Sequence, residues 1–248
     1  LKPIAIDKRR HLIVPGNKEA TLAFCMDHFI DCYRAAIHDH GFFTVALSGG
    51  STPKAIYAKL AHCSHIDWSK VHLFFSDERS VPPTDDQSNY KMALDSGFSE
   101  INPPHIYRMV AEKDMPQNAA AYEKTIQRVL KGHPFDYIML GMGEDGHTAS
   151  LFPNSDALEE TKRLVVPNYV AQKKSWRMTF TFPLINSASH TVIYVIGEEK
   201  AEMLASILKE KNEAKLPPSG KVGRASNPAL WIADEKAAKL LTEFLRKP

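Results

Sequence analysis

Three short segments concentrate the residue types that recognise an anion and move a proton. In LSGGSTP (47–53), Gly49 and Gly50 allow a tight turn and leave backbone N–H groups uncovered, while Ser51 and Thr52 add hydroxyl donors. A helix starting there directs the positive end of its dipole at whatever binds, which suits a phosphate. The segment is not a Walker A loop, because no GKS or GKT follows, and it is not GxGxxG. The second segment, FFSDERSVPPTDDQSNY (74–90), sets Asp77, Glu78 and Arg79 directly after an apolar run. A carboxylate there orients a base or binds sugar hydroxyls, and an Arg forks onto phosphate. The third, LGMGEDGHTASLFP (140–153), brackets Glu144 and Asp145 with Gly141, Gly143 and Gly146, and His147 follows. So many glycines cost chain entropy unless the backbone must take unusual angles. His147 is read as a general base near the start of a helical or turn segment, whose dipole would favour the neutral imidazole. Asp145 can fix its tautomer. Arg177 and Lys200, each beside an apolar run, are further cations able to neutralise a dianionic phosphate.

These segments need elements to hold them. FFTVALS (42–48), VHLFFS (71–76), FDYIMLG (135–141), TVIYVIG (191–197) and ALWIAD (229–234) are short and almost wholly apolar. Such runs suit strands covered on both faces, as in parallel sheets. Helices are expected between them. Residues 19–39 place Leu22, Cys25, Met26, Phe29, Tyr33 and Ala36 on one face. Residues 53–62 start at Pro53 with Thr52 as cap, and 116–131 start at Pro116. Residues 198–210 and 234–246 complete the set. The alternation predicts an α/β fold, a doubly wound, mostly parallel sheet with helices on both faces, in a single domain over 1–248. RMTFTFPLINS (177–187) alternates and reads as a strand ending at Pro183. KNEAKLPPSGKVGRASNP (211–228) reads as a surface loop near a site. All three chemical segments then lie where strands end, the ligand-binding edge of such sheets.

Composition narrows the classes. With 44% hydrophobic and 24% charged residues among 248, the chain has the make-up of a globular protein with a sizeable core. A net charge of +2 without a Lys/Arg block argues against a nucleic-acid partner. No apolar run reaches membrane-spanning length, so no membrane partner is expected. Cys25, Cys32 and Cys63 give no disulfide framework; Cys25 and Cys32, seven apart, can share a helix's buried face. With no continuous apolar run near the start, a reducing, cytoplasmic location is expected. His62, Cys63 and His65 lack the ligand spacing of a zinc site, HExxH is absent, and so is the GxSxG of serine hydrolases.

Taken in order, LSGGSTP, SDER with the following SNY, and GMGEDGHTASLFP resemble the 6-phosphogluconolactonase family, and RMTFTFPLIN and PALWIAD extend the similarity over roughly 15–245. LSGGSTP is shared with a wider superfamily that includes glucosamine-6-phosphate deaminases and sugar-phosphate isomerases. The resemblance implies hydrolysis of 6-phosphoglucono-δ-lactone to 6-phosphogluconate, in the oxidative pentose phosphate pathway, with no metal or organic cofactor and a small phosphosugar lactone as partner. It implies that Gly49, Gly50, Ser51 and Thr52 bind the phosphate side, helped by Arg79, Arg177 and Lys200. Asp77 would contact the sugar and His147 would be the base. The stretch 211–228 departs from the family, which has a shorter link there, and leaves the local lid geometry open. A deaminase or isomerase is the nearest alternative, but deaminases resemble DGHIAFNEP where this chain has DGHTASLFP. A non-catalytic sugar-phosphate sensor is another, and retention of His147 and Asp145 counts against it.

Overall fold

The computed structural model describes residues 1–245. Its strands are β1 (Ile4–Ala5), β2 (Arg10–Ile13), β3 (Phe43–Leu47), β4 (Val71–Phe75), β5 (Asp77–Arg79), β6 (Tyr137–Gly141), β7 (Val165–Val170), β8 (Ser175–Phe180), β9 (His190–Val195) and β10 (Ala229–Ala233). Its α-helices are α1 (Lys18–His40), α2 (Ser51–Ala61), α3 (Asn89–Ala93), α4 (Ser99–Ile101), α5 (Met115–Leu130), α6 (Phe182–Ile185), α7 (Ala201–Lys209) and α8 (Thr242–Leu245). Seven strands form one sheet in the order β1-β2-β10-β9-β6-β3-β4. Every pairing in it is parallel except β1 with β2.

The five runs read as strands are buried nearly throughout, and β3 has no exposed residue at all. Helices cover both faces. On one, Phe29 of α1 meets Phe43 and Tyr137 edge-on, 5.3 Å between ring centroids in each case. On the other, Phe74 meets Tyr122 of α5 at 5.9 Å and Phe135 at 5.2 Å. The side chain of Asn17 caps α1, and Gly41 ends it in a left-handed turn. From β3 the chain crosses to β4 on one side; from β6 it crosses to β9 on the other. The carboxyl ends of β3 and β6 therefore border the point where the winding reverses, where open α/β sheets bind ligands.

The structure departs from the expected elements in several places. The alternating segment 177–187 is a strand only to Phe180; Pro183 lies in the first turn of α6. That strand joins no parallel sheet but a second, antiparallel one, ordered β5-β8-β7. Its edge strand β7 contains Pro167, a residue that an edge can accept because one N–H side is unpaired. Finally, 234–241 forms turns rather than the expected helix. Asp234 accepts from the N–H groups of both Ala237 and Gly197, and tying it to Gly197 makes it an anchor between loops. Only Thr242–Leu245 is helical, and residue 246 of the expected helix lies outside the described residues. The loop 211–228 is exposed at 211–215 and 224–226, but Pro218, Ser219 and Gly220 are buried, and the Ser219 N–H donates to the Gly146 carbonyl at 2.9 Å beside the third segment.

Candidate active site

The β3–α2 turn starts from a fixed point. The buried Tyr57 hydroxyl donates to the Ser48 carbonyl and accepts from the Ser48 N–H, both at 2.8 Å. The chain then turns through Gly49 and Gly50 into α2. Thr52, expected as the cap, is the second residue of the helix; Gly50 holds the cap position and no side chain caps the first turn. The helix starts two residues earlier because Gly50 takes φ 108°, open to glycine, and turns the chain there. The first-turn N–H groups thus lack a side-chain acceptor, the condition for receiving an anion.

Asp77, Glu78 and Arg79 form strand β5, antiparallel to β8. Asp77 is 5% exposed, and its two oxygens accept from Ser150 Oγ at 2.6 Å and from Asn89 Nδ2 at 3.2 Å. The carboxylate is thereby fixed from the third segment and from α3. A Cβ at position 49 would sit 2.2 Å from Asn89 Oδ1, so only glycine lets the turn pass this side chain. Glu78 faces the other way and accepts from Arg79 N, Asn89 N, Tyr90 N and Ser88 Oγ, holding the start of α3. Burial pushes its carboxyl up, against those four bonds pulling down. Arg79 lies directly opposite Arg177 across the strand pair. Like charges so placed repel. Burial and then Arg79 hold the Arg177 guanidinium below its ordinary value. Arg79 gives one Nη1 to the Gln87 carbonyl, while its buried Nε has no partner. Two facing guanidinium groups and an unpaired donor are electrostatically incomplete without an anion.

No helix starts at His147; residues 142–150 form a turn with an isolated bridge. No helix dipole therefore acts on the imidazole. What faces Nδ1 is Asp145 Oδ1 at 2.5 Å, and the same oxygen accepts the His147 N–H at 3.1 Å. Burial raises the Asp145 carboxyl, but the hydrogen bonds from His147 outweigh it, so the net shift is downward and the group is ionised at neutral pH. A carboxylate on Nδ1 keeps that nitrogen protonated and leaves Nε2 as the acceptor. Phe152 stacks on the ring at 3.9 Å between centroids. A Cβ at position 143 would lie 2.0 Å from Nδ1, so the ring occupies space that only a glycine vacates.

A cleft of about 220 Å³ joins these parts. Gly49, Gly50, Ser51, Thr52, Asp77, Arg79, His147 and Lys200 all line it. Arg177 does not; it lies beside Arg79 on the neighbouring strand. Asp145 lines the adjoining hollow, together with His147 and Lys200. Ser48, Thr148 and Tyr194 also line the cleft, and the buried Thr148 Oγ1 has no partner. Sequence reading passed over these three, and over Asn89, Ser150 and Phe152. The SNY and TASLFP tails of the segments hold four of the six, but nothing in their spacing says which strand they meet. His62, Cys63 and His65 do not converge as ligands; among the described residues such convergence occurs at His28, Cys32 and His190, none of which lines the cleft. No helix among the described residues is long and apolar enough to cross a membrane.

Comparison with known proteins matches the family model "Glucosamine-6-phosphate isomerases/6-phosphogluconolactonase" to residues 16–231. A 6-phosphogluconolactonase of Chlamydia pneumoniae is 45% identical over 202 residues, covering 79% of this chain and 77% of the relative. One of Chlamydia trachomatis is 38% identical, covering 94% and 91%. The solved structure of the Trypanosoma cruzi 6-phosphogluconolactonase superposes with a TM-score of 0.82 at 27% identity, covering 98% of this chain and 100% of the other.

Proposed function

Because the chain belongs to the glucosamine-6-phosphate isomerase/6-phosphogluconolactonase family, we propose that it hydrolyses 6-phosphoglucono-δ-lactone to 6-phosphogluconate, as one cytoplasmic domain working in the pentose phosphate pathway. The observation that carries this reading is the cleft itself. It sets a carboxylate-oriented imidazole opposite an uncapped helix start and an Arg with an unpaired donor.

In the proposed reaction His147 Nε2 takes a proton from water as the water oxygen bonds to the lactone carbonyl carbon. The tetrahedral oxyanion is stabilised by N–H groups of the glycine-rich turns. It collapses by breaking the bond from that carbon to the ring oxygen, which receives the proton back from His147. The new carboxylic acid then ionises to water. Asp145 holds the imidazole through both transfers. General acid–base help of this kind supplies about 10²–10⁴-fold, enough for an activated ester without a covalent nucleophile. Gly49, Gly50, Ser51 and Thr52 receive the phosphate side, with Arg79 and Lys200 in the cleft and Arg177 adding charge from beside Arg79. Asp77, already held by Ser150 and Asn89, contacts the sugar hydroxyls.

The test is a coupled assay with freshly made 6-phosphogluconolactone, corrected for spontaneous hydrolysis, beside unphosphorylated gluconolactone and glucosamine 6-phosphate. The expected result is turnover of the first, far weaker turnover of the second and none of the third. Equal turnover of both lactones would remove the phosphate site. Release of ammonia from glucosamine 6-phosphate would move the chain to the deaminase side of its family.

A further inference from the structure

We propose that His28, Cys32 and His190 form a second, unassigned site, one that binds Zn²⁺ through two imidazoles and a thiolate. The ligand-capable atoms of the three residues all lie within 4.8 Å of one another. His28 Nε2 and Cys32 Sγ are 4.0 Å apart. Tetrahedral zinc with Zn–N about 2.1 Å and Zn–S about 2.3 Å sets such atoms about 3.6 Å apart. Closing the gap between His28 and Cys32 needs a side-chain adjustment of a few tenths of an ångström. The two helical ligands stand at i and i+4 on α1, one above the other on one face, and the third opens strand β9.

The surroundings fit a cation. His28 Nδ1 lies 3.0 Å from the Tyr137 hydroxyl, which lies 3.0 Å from the Tyr194 hydroxyl. With Nδ1–H donating to Tyr137, the Nε2 lone pair is directed at Cys32, the outer hydrogen bond that ligating histidines ordinarily make. The charge of Asp31 reaches His28 and Cys32, and that of Asp136 reaches Cys32 and His190. Cys32 is buried, His28 half-buried and His190 exposed, so an ion can arrive from solvent at His190. Imidazole with thiolate is a donor set that favours zinc over hard ions such as Mg²⁺ or Ca²⁺. Binding breaks the Cys32 S–H bond, releases that proton to water and forms S–Zn, with no change of oxidation state. Three protein ligands leave a fourth position for water.

The test uses Co²⁺ as the visible probe for Zn²⁺. The parent protein titrated with Co²⁺ should develop a thiolate charge-transfer band and d–d bands of tetrahedral intensity, and Zn²⁺ should bleach both. Cys32→Ser should abolish the charge-transfer band. His190→Ala, a change at an exposed position that leaves the fold intact, should weaken binding at least about 10–100-fold, since even outer partners of a ligand cost that much. Cys63→Ser, Cys25→Ser and His147→Ala should leave the band as in the parent. Absence of the band in the parent, its survival in Cys32→Ser, or its loss in Cys63→Ser would each overturn the proposal.

Discussion

The chain builds two histidine centres, and they are assembled on opposite principles. His147 sits in a turn of glycines, with an ionised carboxylate on Nδ1 and an aromatic ring against its face. His28 sits on a long helix, with a phenol on Nδ1 and a thiol toward Nε2. A carboxylate stabilises the positive charge that an imidazole acquires when it takes a proton, so the first arrangement suits the base role proposed for His147. A neutral phenol gives no such help; it fixes the ring while a second and third donor converge, so the other arrangement makes a ligand. Histidine chemistry here is decided by what faces the two ring nitrogens rather than by burial or by the residue itself.

The widest separation between the centres should appear in turnover. His147→Ala is expected to lower kcat about 10²–10⁴-fold, the range for loss of a general acid–base, while 6-phosphogluconate still binds. His190→Ala should keep kcat within about twofold of the parent, on the ground that it touches no cleft residue. Steady-state kinetics on the two variants side by side would break the comparison if both fell together. Gly143→Ala comes next. Its Cβ would meet the imidazole at 2.0 Å and push the base from Asp145. A displacement of that order costs about 10²-fold in kcat, with KM for the phosphorylated lactone nearly unchanged. A normal kcat would mean that the ring's position is not what Gly143 protects.

The same contrast explains what sequence reading reached. His147, Asp145 and Gly143 lie within five residues, so the imidazole and the carboxylate that meets its Nδ1 could be read from one segment. The parallel strands were legible for a similar reason: burial on both faces turns β3 and β6 into unbroken apolar runs. Cys32 and His190 lie far apart along the chain, and only the β6–β9 pairing brings His190 opposite Tyr137 beneath α1. Nothing local records that. Strand β7 was missed because Pro167 looks like an interruption, a sign that holds for central strands but not for an edge. The second sheet went unread because β5 has three residues, too few for periodicity. Its consequence is the Arg79–Arg177 pairing, a register fact invisible in either segment alone. The helix at 234–246 failed for another reason. Asp234 does cap a turn, as its type predicts, but it is shared with Gly197.

The paired arginines give a smaller and two-sided effect. Arg79→Ala should raise KM for the phosphorylated lactone about 10–100-fold, since hydrogen bonds to charged groups are worth about 1.5–3 kcal/mol. Arg177→Ala should raise it less, because Arg177 does not line the cleft. It should also relieve a cross-strand repulsion of roughly 0.2–1 kcal/mol, so the unliganded variant should melt slightly higher than the parent. A variant that melts lower while its KM stays unchanged would show that Arg177 is held for packing and not for an anion.

The smallest expected effect concerns the link between Asp145 and His147, and its sign follows from the direction of the carboxyl shift. The folded-state value lies below the ordinary 3.8. A group lowered on folding contributes stability that is present in full above the unfolded value and is lost as pH falls through the folded one. The pair is partly exposed, with Asp145 at 41%, so the contribution is that of a screened surface pair, at most about 1 kcal/mol, or roughly 2–4 °C in a chain of this size. Asp145→Asn should therefore melt slightly below the parent at pH 6–7. The two curves should converge as pH drops below 3.8. Its kcat should also fall, because asparagine can hold either tautomer of the ring. A melting difference that persists unchanged to the lowest pH would show that Asp145 stabilises the turn through its N–H contact alone, and would leave the orientation of His147 to the stacking of Phe152.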